Sequence, residues 1–111
     1  MKIRAKNGEQ TVDMTLPATD TEMQYCMKCI GIEDIVPICC ISEMWDEPSY
    51  FGFLKGQTVN MDELNFFARR LDGMTEYEKR VVGVYSSETG MWEMKQLINL
   101  TYSLQGLSLL T

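Results

Sequence analysis

Two hydrophobic periodicities divide the chain. Between residues 2 and 16 apolar side chains recur at alternate positions, Ile3 and Ala5 and then Val12, Met14 and Leu16. Period two is that of a strand with one face buried. Asn7-Gly8 lies between the two runs and suits the positive φ angles of a tight turn, so a β-hairpin is predicted. The period then lengthens. Met23, Cys26, Met27 and Ile30 fall on one face of a helix, with Gly31 as its stop. Thr19 opens that helix, and Glu22 three residues on completes a capping box. Residues 35 to 45, "IVPICCISEMW", read as a buried strand, with Pro37 at its start or on a sheet edge. "SYFGFL" lies in a Pro- and Gly-containing stretch and can pair as one more short strand.

The second half is helical. In "NMDELNFFARRLDGMTEYEKR", Asn60 is an N-cap with Glu63 three residues on, and Leu64, Phe67, Ala68 and Leu71 form an apolar stripe ended by Gly73. Thr75 and Glu78 make a further capping box. Tyr77, Val81, Val84 and Tyr85 continue near helical spacing, although Val81, Val82 and Val84 also suit a strand. Met94, Leu97, Ile98 and Thr101 share a face of a last helix. The predicted order is β-β-α-β, with room for another β, then α-α-α. This is an α+β fold, a small antiparallel sheet of hairpin plus one or two further strands packed with three to four short helices. At 111 residues, with no repeat or linker, the chain is expected to form a single domain over 1–111.

Charge sharpens the picture. The net charge is -6, and the segments 1–32 and 64–111 each balance to zero. The excess lies in residues 33–63, where Glu33, Asp34, Glu43, Asp46, Glu47, Asp62 and Glu63 face Lys55 alone. Such a segment repels nucleic acid and attracts basic partners. Arg69-Arg70 and Lys79-Arg80 raise the question of a helix-turn-helix, but neighbouring acids balance the arginines locally. They read better as helix C-terminal cations, and direct DNA binding is not expected. The sequence shows no signal-peptide pattern and no apolar run of membrane-spanning length, so a cytoplasmic protein is expected.

Catalytic chemistry is thinly supplied. The chain has no histidine, which excludes Ser-His and Cys-His catalysis, and no Gly-rich phosphate loop. Cys26 and Cys29 form a C-x-x-C within a helical pattern rather than on a knuckle turn. Cys39 and Cys40 are adjacent in a strand and point to opposite faces, so the four thiols read as structural rather than as zinc ligands. No enzyme activity, metal or cofactor is expected.

The stretch 62–80 carries a further signal. Asp62-Glu63-Leu64-Asn65, two bulky residues, Ala68 and Leu71, followed by the Thr-Glu-Tyr-Glu helix start, resemble the ArdA-type antirestriction proteins. "QLINLTYSL" resembles the segment that follows in ArdA-like proteins of conjugative elements, and the similarity spans roughly residues 33–104. The resemblance implies a non-enzymatic DNA mimic that occupies the DNA groove of type I restriction-modification enzymes. In that role Glu33, Asp34, Glu43, Asp46, Glu47, Asp62 and Glu63 would imitate phosphates. The alternative is a small interaction or accessory module of a mobile genetic element, without mimicry. Trp45, Tyr50, Phe51 and Phe53 would then form its interface, with a partner protein or with a second copy in a homodimer. The bland alternatives are solubility or capping for the acids and core packing for the aromatics.

Overall fold

The computed structural model describes residues 1–45, 49–90 and 92–104. Strands β1 (Lys2–Asn7) and β2 (Gln10–Thr15) form the hairpin. Helix α1 (Asp20–Cys29) follows, then β3 (Ile38–Trp45), a 3-10 helix (Ser49–Leu54) and the short β4 (Thr58–Asn60). Three helices complete the order: α2 (Met61–Asp72), α3 (Glu76–Thr89) and α4 (Met94–Leu104). The four strands make one antiparallel sheet in the order β2-β1-β3-β4. The α+β architecture therefore agrees with the periodicity.

The sheet is two-faced, as alternation requires. Ile3, Ala5, Met14, Cys39, Ile41 and Val59 are buried on one face, against the helices. The other face is exposed and carries Lys2, Arg4, Lys6, Asp13 and Trp45. One irregularity reorients β3. Arg4 pairs with Glu43 while Ala5 pairs with Ile41, which leaves Ser42 as an extra residue, its hydroxyl donating to the Arg4 carbonyl at 3.3 Å. Strict alternation after Ile41 would drive Glu43 into the core. The bulge turns Glu43 outward and brings Met44 to the core instead.

The helix starts follow the capping chemistry. Thr19–Glu22 and Thr75–Glu78 are both complete capping boxes. Glu78 is buried because its carboxylate accepts from the Thr75 N–H at 2.9 Å. At α2 the Asn60 side chain accepts from the N–H groups of Asp62 and Glu63, and Glu63 makes no return bond to Asn60. The stripe Leu64, Phe67, Ala68 and Leu71 is buried, as its spacing predicts.

Two expectations change and one open choice is settled. The hairpin loop is Gly8-Glu9, since Asn7 pairs with Gln10; the Asn7 amide instead donates to the Ile30 carbonyl at the end of α1, at 2.8 Å. "SYFGFL" is 3-10 helix rather than strand, and the fourth strand is Thr58–Asn60. Phe51 and Leu54 of that helix are fully buried three residues apart, which is the 3-10 period rather than the strand period. Residues 81–85 are helix, because α3 lies against the 3-10 helix with Val82, Gly83 and Ser86 inward. That contact depends on Gly83, where a Cβ would overlap Cδ2 of Tyr50 and lie 3.0 Å from its Cγ.

Two stability predictions follow from this packing. Phe67 is fully buried and packs edge-on against Phe51 with ring centroids 6.0 Å apart. Phe67→Ala is expected to cost about 3–5 kcal/mol in urea-monitored unfolding. Gly83→Ala should cost about 1–3 kcal/mol by overpacking, against the usual small gain of alanine in a helix, and an unchanged urea midpoint would contradict the Tyr50 contact.

Candidate functional site

The segment between α1 and β3 creates the most distinctive surface. Ile32 is buried, and its N–H donates to the Met27 carbonyl at 2.9 Å. Pro37 is also buried, and its carbonyl accepts from the Met61 N–H at 2.8 Å. Between these anchors Glu33, Asp34, Ile35 and Val36 arch into solvent. Ile35 is 97% exposed.

Helices α1 and α2 flank this arch. Helix α1 packs against β2, and α2 packs against β4 and α4, so a groove of about 720 Å³ is left between the two. Met23 and Met27 of α1, with Ile32 and Pro37, give it an apolar floor. Asp62, Phe66 and Arg69 of α2 face it at positions i, i+4 and i+7. Its lining holds four carboxylates, Asp20, Glu33, Asp34 and Asp62, against the two cations Lys28 and Arg69. Among the described residues none of the four carboxylates is in an ion pair.

One polar contact sets the spacing of these walls. The buried Asn65 side chain accepts from the Ala18 N–H at 2.8 Å and donates to the Ala18 carbonyl at 3.0 Å. Arg69 donates to the same carbonyl at 2.9 Å. Ala18 immediately precedes the cap of α1, so α2 is joined to the entry of α1. Arg69 is thereby tethered at the groove. Its neighbour Arg70 points the other way, with its guanidinium 3.8 Å from the Tyr102 ring centroid and its Nε donating to Thr101 at 3.2 Å. Both arginines sit in the last turn of α2, as expected of helix C-terminal cations, and both also make tertiary contacts.

The acids of residues 33–63 do not share one surface. Glu33, Asp34 and Asp62 line the groove, joined by Asp20 from outside that segment. Glu43 lies on the solvent face of the sheet, 3.2 Å from Lys55. Glu63 borders a separate depression near Trp92 and Glu93. Asp46 and Glu47 lie outside the described residues.

The aromatic quartet is also divided. Phe51 is fully buried, Tyr50 is half-buried against Gly83, and Phe53 stacks on Trp92 with ring centroids 6.0 Å apart. Trp45 is on the opposite sheet face, with the Arg4 guanidinium 5.1 Å from its ring centroid. Phe51 is thus core rather than interface, and the four rings form no common surface. The exposed apolar residues at the groove are Ile35 and Phe66. Phe66 was hidden by its position beside the buried stripe, and Ile35 by its place in an apparent strand.

A second depression, of about 710 Å³, lies between the exposed sheet face and α1 and includes Lys2, Asp13, Tyr25 and Trp45. Its acids are already engaged. Asp13 receives two bonds from Arg4, at 2.7 and 3.2 Å, which hold its carboxyl below the usual range, and Glu22 serves the α1 cap. Neither Cys39 nor Cys26 is an activated thiol. Burial and the neighbouring Cys40 push the Cys39 thiol up to about 11, and partial burial also raises Cys26. Among the described residues no three His, Cys, Asp or Glu side chains are grouped to hold a metal, and no helix is long and apolar enough to cross a membrane.

No family model, curated protein or solved structure matches this chain.

The groove walls give a direct prediction. Asn65→Ala removes both bonds to Ala18 and leaves its buried N–H without a partner. It should lower the unfolding free energy by about 2–3 kcal/mol in urea titration. A change below a few tenths of a kcal/mol would contradict the joint.

Proposed function

We propose that the chain is a non-enzymatic, acidic protein-binding domain that inhibits type I restriction-modification enzymes, as its resemblance to the ArdA-type antirestriction proteins implies. The supporting observation is the groove between α1 and α2, where Asp20, Glu33, Asp34 and Asp62 stand without ion-pair partners among the described residues. Unpaired carboxylates at a protein surface complement a site lined with lysine and arginine, as a DNA-binding cleft is. Their field speeds encounter with such a site, and added salt weakens it.

The charge distribution favours one direction of approach. Among the described residues the solvent face of the sheet carries Arg4 and Lys6, and its acids Asp13 and Glu43 are paired with Arg4 and Lys55. A basic partner therefore meets the α1–α2 side. Glu43 and Glu63 lie away from the groove and contribute only to the net charge in this reading, and the groove carboxylates make the contact.

A second reading, an interaction module of a mobile element without DNA mimicry, is favoured by one observation. Ile35 and Phe66 are exposed among the groove acids, and imitation of phosphate needs no apolar side chain.

The test is competition between the purified chain and duplex DNA for a type I restriction enzyme. Inhibition at micromolar protein that weakens as salt rises is expected. Paired charge reversal, Asp34→Lys with Asp62→Lys, should weaken inhibition by about tenfold or more, whereas Glu43→Lys should leave it within about twofold. Absence of inhibition would overturn the antirestriction reading and leave the interaction module.

A further inference from the structure

We infer that the groove between α1 and α2 receives one face of a basic amphipathic helix from a partner protein. The inference rests on the reading of the chain as a partner-binding domain and adds the chemistry of the bound segment. Four features of the groove carry it.

The floor is apolar and adaptable. Met23, Met27 and Ile32 are buried at the base, and Phe66 is 41% exposed above them. Methionine is flexible and polarisable, and recurs where a surface must accommodate varied side chains. The rim is acidic, with Asp20 and Asp62 at the starts of the two helices and Glu33 and Asp34 on the arch. An apolar base under an acidic rim complements a helix with one apolar stripe flanked by lysine or arginine.

The dimensions also suit a helix. The α2 wall runs from Asp62 to Arg69, which at the helical rise spans about 10 Å, or two turns of a docked helix. Anchors at i, i+3 or i+4, and i+7 on the incoming segment would cover that length. Ile35 stands 97% exposed at the groove, where an incoming apolar side chain would cover it.

Other occupants fit less well. A small molecule would gain little enclosure beside an almost fully exposed Ile35. Nucleic acid is disfavoured because the four carboxylates of the lining outnumber its two cations. A second copy offers no matching element in α3 or α4: α3 carries Glu76, Glu78 and Glu88 against Lys79 and Arg80, and α4 carries Lys95 alone.

The test uses the full chain and a fluorescent synthetic peptide of about three to four helical turns. The peptide carries leucines at i, i+3, i+4 and i+7 flanked by lysines, and a control has every lysine replaced by glutamate. Anisotropy titration should give micromolar binding of the basic peptide that weakens with salt, and no binding of the acidic one. Ile35→Ser and Phe66→Ser should each weaken binding by about fivefold or more, and Asp34→Lys similarly. Ile35 makes so little contact with the fold that its substitution leaves stability unchanged, so loss of binding there reports docking. Glu43→Lys should bind as the parent does. No binding, equal binding of the acidic peptide, or full binding by Ile35→Ser and Phe66→Ser would overturn the inference. The same preparations tested against the type I enzyme separate the two readings. Inhibition without peptide binding removes the helix-docking inference alone, and peptide binding without inhibition removes the antirestriction reading alone.

Discussion

The side-chain amide of Asn65 pairs with both polar groups of Ala18 across 47 residues of chain. It does between α2 and the entry of α1 what a backbone ladder does between strands. A buried amide left unpaired costs more than the bond contributes when made, so the contact is stringent about position. It ties α2 to the entry of α1 beside the groove. Arg69 adds a third bond to the same residue, so one of the two cations of the groove also serves the fold. The groove is therefore a consequence of how the helices are joined. Its acidic rim comes from side chains that the helix starts and the arch place there.

The rest of the molecule supports that arrangement. The hairpin and β3 supply one buried face, and Ile3, Ala5 and Ile41 are fully buried at its centre. The bulge at Ser42 removes a conflict between a charged residue and a strict alternation. The 3-10 helix fits against α3 where Gly83 has no side chain, and Arg70 braces α2 to α4 through Thr101 and Tyr102. With these contacts made, the arch of residues 33–36 is exposed because both of its ends are anchored.

Local chemistry was legible in the residues themselves. The capping boxes at Thr19 and Thr75, the Asn60 cap and the stripe from Leu64 to Leu71 depend on neighbours within one or two turns. The missing features depend on distant partners. Asn65 reads as an ordinary polar helix residue until Ala18 is beside it, and "SYFGFL" has strand composition until α3 covers it. The acidic run misleads in a similar way. Contiguity along the chain placed Glu33, Glu43 and Glu63 in one set, but a loop, a sheet face and a helix start separate them. Asp20, from a segment of zero net charge, joins the groove instead. Ile35 reads as strand because it adjoins a β-branched run, although β3 begins at Ile38.

The central claim is that partner binding is concentrated at the groove that Asn65 holds open. The most direct measurement is a methyl NMR spectrum of the methionine-labelled chain, recorded while the methyltransferase core of a type I restriction enzyme is added. Met23 and Met27 line the groove, whereas Met44 lies under the sheet and Met94 in α4. The Met23 and Met27 signals should shift or broaden while those of Met44 and Met94 stay in place. Changes confined to Met44 and Met94, or no change in any of them, would contradict it.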